Sequence, residues 1–203
     1  MTTKEYFLHT KIVKGKETST LELFTTLCPD FTLLRGKTPQ TQLKIIWDAL
    51  QRHKKSDNSV NGKLFEYAII AILINETILP LYVQAKVAFV PNIEFDLLLY
   101  SAHRPVALSL KTSLRERYKQ ADLEAIALKY VHRKGQAYLL TINAKEALSV
   151  NKKILSGDVI GIDGVIDCFS DAFDHFIAQL RHESWSQAGK IDIVTAAALI
   201  TTT

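Results

Sequence analysis

The chain has 203 residues, 47% of them apolar and 23% charged, which excludes disordered and fibrous classes and fits one compact globular domain that needs no disulfide or metal to fold. Cys28 and Cys168 lie far apart without C-x-x-C spacing, the first residues lack the apolar core of a signal peptide, and the longest apolar run, Tyr67 to Ile74, is too short for a bilayer, so a soluble protein of the reducing cytoplasm is expected. The net charge of +4 divides unevenly: from Gly157 on, seven acids face Arg181 and Lys190, a balance of −5 that leaves +9 to residues 1–156.

Residues 20–53 read as two helices, broken at Cys28-Pro29-Asp30 and around Gly36 to Pro39, the second carrying Leu43, Ile46, Trp47 and Leu50 at helical spacing. Arg52 to Asn61 is polar and reads as a loop. A strongly apolar helix follows over Gly62 to Asn75 with one embedded acid, Glu66, and Pro80 closes it. The period then changes to two. Tyr82 to Val90, Ile93 to Tyr100 and Val106 to Lys111 are strand-like runs bounded by turn signals. Next come a long helix from about Leu114 to His132, with Tyr118, Ala121, Ala125 and Leu128 on one face, and a fourth strand over Gln136 to Asn143. A loop, a strand over Val159 to Phe169 and an amphipathic helix over Asp171 to Arg181 complete the order. This is an α/β plan, α-β-β-β-α-β, in which the fourth strand returns beside the third through a crossover helix. The expected organisation is a single domain over 1–203, with an N-terminal helical extension (1–58) and a core over 62–181.

Two charges interrupt these apolar strands: Asp96 within IEFDLLLY, and Lys111 at the end of VALSLK. Such placements are costly unless the charges are paired or bind a ligand. An internal Asp–Lys ion pair is one reading. The other comes from context, because an acid on one strand, Ser109-Leu110-Lys111 on the next and an acid-bearing helix before them resemble the PD-(D/E)XK nuclease core. That motif reads acid, a gap, then acid-x-Lys, and Ser109 occupies the second acid's place. Beyond Lys111 stand the triplet Arg115-Glu116-Arg117, four residues on, and Glu124, thirteen on. This resembles the branch of type II restriction endonucleases that includes EcoRII-type and CCNGG- and CCGG-cutting enzymes, whose second catalytic acid has migrated into the following helix. The resemblance covers about Gly62 to Asn143, and the proline usual before the first acid is missing.

Phosphodiester hydrolysis requires neutralising charge at phosphorus, generating hydroxide near neutral pH and stabilising the leaving 3′ oxygen. Carboxylates holding Mg²⁺ and a lysine near the attacking water meet these needs. The expected catalytic set is Asp96, Lys111, Glu124 and Glu66, with Asp96 bridging the metal, Glu124 as second ligand and Glu66 as a further ligand. For Glu66 the alternative is an acid favoured by its helix dipole. Glu94 shares the strand face of Asp96 and is a substitute ligand, or an exposed edge acid.

Recognition is assigned to the triplet together with Lys119. Arg115 and Arg117 can each donate a bidentate pair to guanine, and Glu116 accepts from cytosine amino groups. The resemblance implies that the triplet reads neighbouring C·G pairs in the major groove, so the target is a palindrome containing CC/GG. Cutting both strands of a palindrome calls for a homodimer, and a cell making such an enzyme needs a cognate DNA methyltransferase. The expected activity is Mg²⁺-dependent, site-specific cleavage of double-stranded DNA. The alternatives are a repair or junction-resolving nuclease on the same core, or a DNA-binding protein with an inactive centre. His103, His132 and His182 have no ligand spacing, and the chain has neither a P-loop nor a G-x-S-x-G motif. Gly161-Ile-Asp-Gly164 reads as a turn, and Tyr6, Phe7 and Tyr82 read as core.

Overall fold

The computed structural model describes residues 1–13, 18–53, 58–87, 93–188 and 194–201. They divide into two units. A helical unit comprises Met1–Ile78 and Cys168–Glu183, and a sheet unit comprises Leu79–Asp167 and Ser184–Thr203.

The helical unit contains α1 (Thr3–His9), α2 (Ser19–Leu27), a 3₁₀ turn (Phe31–Leu34), α3 (Pro39–Arg52), α4 (Asn58–Asn75) and a late-arriving helix, α7 (Asp171–His182). Its starts are marked by side-chain caps: Thr2 and Glu5 form a reciprocal capping box, and Thr18 and Thr38 cap α2 and α3. Phe7 packs its ring against Phe24, Phe31 and Tyr67, with centroids 5.5, 6.2 and 5.4 Å away. Helix α4 is buried on almost every side from Leu64 to Ile74, as its unbroken apolar run requires. It begins at Asn58, so part of the segment expected as a loop is its first turn; residues 54–57 lie outside the described residues.

The sheet unit contains β1 (Leu81–Val87), β2 (Phe95–Leu99), β3 (Val106–Leu110), α5 (Arg117–Val131), β4 (Gln136–Thr141), α6 (Ala144–Ser156), β5 (Gly164–Asp167), β6 (Val194–Thr195) and β7 (Ala198–Ile200). Among the described residues the strand order is β5-β4-β3-β2-β1-β6, with β7 also on β1. β1, β2 and β3 form an antiparallel meander, and β3, β4 and β5 run parallel. The mixed α/β sheet is therefore as expected, and so is the return of β4 beside β3 through the crossover helix α5. Tyr118, Ala121, Ala125 and Leu128 are the buried residues of α5. They join Leu98, Ala107, Ala137 and Leu139 in the core of this unit.

Three expectations are corrected. The segment expected as a loop after β4 is a thirteen-residue helix, α6, capped by Asn143 at its start and by Gly157, in the left-handed region at φ 82°, at its end. It buries only Ala147 and Val150, a stripe too narrow to register as an apolar period. The strand expected over Val159 to Phe169 shrinks to the four residues of β5. The chain also does not finish with α7, because β6 and β7 return to pair with β1. The distal end expected for the first strand, residues 88–90, lies outside the described residues.

Phe7 is buried, Tyr6 stacks edge-on against Phe31 at 5.3 Å, and the buried Tyr82 hydroxyl accepts from the Ala188 amide at 2.8 Å, so these aromatics are structural. Both cysteines are buried, and neither forms a disulfide among the described residues. No helix among the described residues is long and apolar enough to cross a membrane.

Candidate active site

The register of β2 against β3 pairs Leu97 with Leu108 and Leu98 with Ala107, and continuing it sets Asp96 opposite Ser109. Residues 107, 109 and 111 then project to one face by the two-residue period of a strand. Lys111 extends that strand, since its amide donates to the Leu140 carbonyl of β4 at 3.0 Å.

The chemistry converges on one oxygen. Asp96 Oδ2 accepts from the Leu110 amide at 2.7 Å and from Lys111 Nζ at 2.8 Å, with Ser109 Oγ at 3.5 Å. A backbone amide and an ammonium therefore share one carboxylate oxygen, and Asp96 and Lys111 stay 22% and 24% exposed.

Glu124 approaches this group from α5. The helix meets the sheet through Ala107, Ala121, Ala125 and Ala137, and a small cleft there is lined by these alanines, Ser109 and Glu124. The short side chain at position 109 leaves the cleft open to a carboxylate arriving from the helix. Burial holds the Glu124 carboxyl above the usual carboxylate range, with Asp96 adding to the shift, while the Gln120 hydrogen bond at 2.8 Å and the Lys111 charge oppose it. The helix is itself pinned, because Asp122 Oδ1 accepts from the Gly161 and Ile162 amides at 2.6 and 3.1 Å and Lys129 pairs with Asp163 at 2.8 Å.

Three of the four expected catalytic residues are thus gathered in one unit. Glu66 belongs to the helical unit, half-buried and paired with Lys63 at 2.5 Å. Glu94 is exposed, with Lys86 at 3.9 Å.

Arg115 and Arg117 are exposed and make no side-chain hydrogen bond or ion pair among the described residues. Arg115 adopts φ 35°, a left-handed conformation that costs a non-glycine residue on the order of 1 kcal/mol. Glu116 is turned to Lys119 in an exposed ion pair that lowers the carboxyl and raises the ammonium. One neighbour of the triplet escaped the sequence reading: Glu146 of α6 holds the turn in front of it. Asn143 followed three residues later by a glutamate, with Gly157 further on, was the available signal.

Among the described residues no three metal-ligating side chains converge. Asp96 and Glu124 still offer carboxylate oxygens, the donors Mg²⁺ takes, and this ion commonly uses one or two carboxylates and fills its shell with water and phosphate oxygens. The donor set fits that ion.

No family model and no curated protein matches the chain. Among solved structures it is similar to the restriction endonuclease PspGI in complex with its substrate DNA, at 17% identity and a TM-score of 0.50, over 72% of this chain and 70% of that one. The chain has a restriction-endonuclease-like fold. At that identity the likeness speaks for the fold alone, and the residues gathered around Asp96 must carry any argument about chemistry.

Proposed function

We propose that the protein is a Mg²⁺-dependent type II restriction endonuclease that hydrolyses double-stranded DNA at a palindromic site containing CC/GG. The observation that supports this most directly is the Asp96–Lys111 contact across β2 and β3, with Glu124 of α5 lining the cleft at the neighbouring Ser109 and within electrostatic reach of both charges. On this reading Asp96 and Glu124 hold the ion. Bound there, Mg²⁺ supplies charge neutralisation at the phosphate and acidifies water. Lys111 positions the attacking water and stabilises charge as it develops. Burial, which raises the Glu124 carboxyl, disfavours its charged form, and a bound cation would offset that cost and favour the carboxylate.

Arg115 and Arg117 carry free guanidinium groups to guanine edges, and Glu116 exchanges its Lys119 contact for cytosine amino groups. The two strands of a palindrome are cut by two copies of the chain, so the working species is a homodimer, protected in its cell by a cognate methyltransferase.

The test is incubation of plasmid DNA with the protein in Mg²⁺ and in EDTA. Discrete fragments formed only with Mg²⁺, with CC/GG at their ends, support the proposal. Nicking or smearing would replace it with a repair nuclease, and a gel shift without cleavage would replace it with an inactive DNA-binding protein.

A further inference from the structure

The turn from Lys111 to Arg117 joins the residue assigned to catalysis to those assigned to recognition, and the junction of β4 and α6 holds it at two places. At its start the Lys111 amide donates to the Leu140 carbonyl at 3.0 Å. Three residues later the Glu146 carboxylate spends both oxygens on it: Oε2 accepts from the Leu114 amide at 2.5 Å, and Oε1 accepts from the Ser113 hydroxyl at 3.3 Å. Leu114 is fully buried, so its amide has no solvent to turn to if that acceptor is removed.

Directly after this clamp the chain takes the positive φ of Arg115, and the Arg117 amide closes back on the Leu114 carbonyl at 2.5 Å. A strained residue persists only where its surroundings determine it. Glu146 is well placed to do so because it is itself fixed, its amide donating to Asn143 Oδ1 at 3.2 Å in the helix cap. One helical turn on, buried Val150 lines the same recess as Leu114, and Lys153 donates to the Tyr118 hydroxyl at 2.7 Å. Residues 146, 150 and 153 lie on one face of α6. That face backs the first turn of α5.

We infer that Glu146 is a positioning residue for sequence discrimination, locking the Ser113–Leu114 turn so that Arg115 and Arg117 are presented at a fixed offset from Lys111. The inference rests on the nuclease reading above. A preset turn spares DNA binding the ordering cost of the triplet, and that saving is realised only on a site whose bases the triplet fits.

The experiment measures cleavage and Ca²⁺-supported binding on a CC/GG duplex and on one altered at a single C·G pair, for wild type, Glu146→Ala, Glu146→Gln and Ser113→Ala. Glutamine keeps an acceptor for the Leu114 amide, and its amide group can donate to the Ser113 oxygen, so the clamp survives without charge. Glu146→Ala is expected to lower the discrimination ratio by roughly tenfold to a hundredfold, the range for stranding a buried amide, while affinity for non-cognate DNA changes less than about twofold. Glu146→Gln should stay within about threefold of wild type. If Glu146→Ala fails to fold, Ser113→Ala reads the weaker arm, with an expected loss of about twofold to fivefold. An unchanged ratio in Glu146→Ala, or in Ser113→Ala where that variant has to stand in, overturns the inference. An equal loss in Gln and Ala also overturns it, since the carboxylate would then act by charge. Failure of the nuclease reading looks different, because wild type itself would neither cleave nor distinguish the two duplexes.

Discussion

Lys111 Nζ lies 2.8 Å from Asp96 Oδ2, across two neighbouring antiparallel strands, with both side chains about a quarter exposed. An ion pair with that access to water contributes little to stability, about 0–1 kcal/mol, so its placement inside apolar strands is poorly explained by folding energy. The two readings of the pair diverge in a measurable way. Lys111→Ala is expected to lower stability by no more than about 1 kcal/mol in urea denaturation, and to cut the single-turnover cleavage rate by at least about a hundredfold. Binding in Ca²⁺ should stay within about tenfold, because the proposed role of the lysine lies in the transition state. Unaltered cleavage with a large stability loss would return the pair to a purely structural role.

Occupation of the site by a cation should be visible without DNA. Adding Mg²⁺ at about ten times its dissociation constant stabilises the folded state by about 1.4 kcal/mol, a rise in Tm of roughly 3–5 °C for a chain of this size. Asp96→Asn should abolish the rise, because the amide keeps the shape and removes the charge. An equal rise in the variant would place the cation elsewhere.

Burial raises the Glu124 carboxyl above its ordinary value of 4.5, so the folded state binds a proton that the unfolded state releases first. Stability from this group is present below the unfolded value and is lost as pH rises through the folded one. Wild type should therefore lose stability on going up through that window, and Glu124→Gln should flatten the profile there and melt higher than wild type at pH 7 while failing to cleave. Thermal melts across pH 4 to 8 without metal read this directly, and a variant that melts lower than wild type at pH 7 would contradict it.

Part of this site is legible because strands keep a strict two-residue period, which sets Ser109 with Lys111 on one face of β3 and Glu94 with Asp96 on one face of β2, whereas the register that brings Asp96 opposite Ser109 lies in the pairing of the two strands. The buried stripe of α5 was legible for a similar reason, four apolar residues at helical spacing. Helix α6 was not. It covers one edge with Ala147 and Val150 while Leu148 and Leu155 point outward, so its apolar residues do not mark its buried side. Its caps carried the information instead. Glu146 was hidden with it, since the bond to Leu114 spans thirty-two positions and no local pattern encodes such a contact. Gly161-Ile-Asp-Gly164 reads as a turn, and nothing in its local pattern shows that Gly161 is also packed against α5.

A Cβ built on Gly161 would lie 2.3 Å from the Asp122 carbonyl and 2.8 Å from the Ile126 amide nitrogen, both backbone atoms of α5. Neither can yield without moving the helix that carries Glu124 and begins at Arg117. Gly161→Ala is expected to destabilise by about 1–3 kcal/mol and to reduce cleavage beyond what the unfolded fraction explains. Gly62, whose Cβ would meet nothing within 4 Å, supplies the control, since Gly62→Ala in α4 should be neutral or stabilising by up to about 1 kcal/mol. Equal effects at the two positions would remove the packing argument.

The triplet yields the sharpest separation of base reading from charge attraction. Arg115→Ala and Arg117→Ala should each cost about 1–3 kcal/mol of binding to a CC/GG duplex, the range for losing a bidentate guanine contact, while a scrambled duplex is bound nearly as before. An arginine on a phosphate would behave otherwise, weakening every sequence alike and reducing the dependence on salt. Affinities for both duplexes at two salt concentrations therefore assign each arginine. Glu116→Gln is the control for the cytosine side: the free protein spends this acid on Lys119, an exposed pair whose loss should leave stability unchanged, so any effect on discrimination reports the DNA contact. If both arginine variants lose specific and scrambled DNA in equal proportion, the triplet is an electrostatic patch, and the CC/GG target falls even where the cleavage centre at Asp96, Lys111 and Glu124 stands.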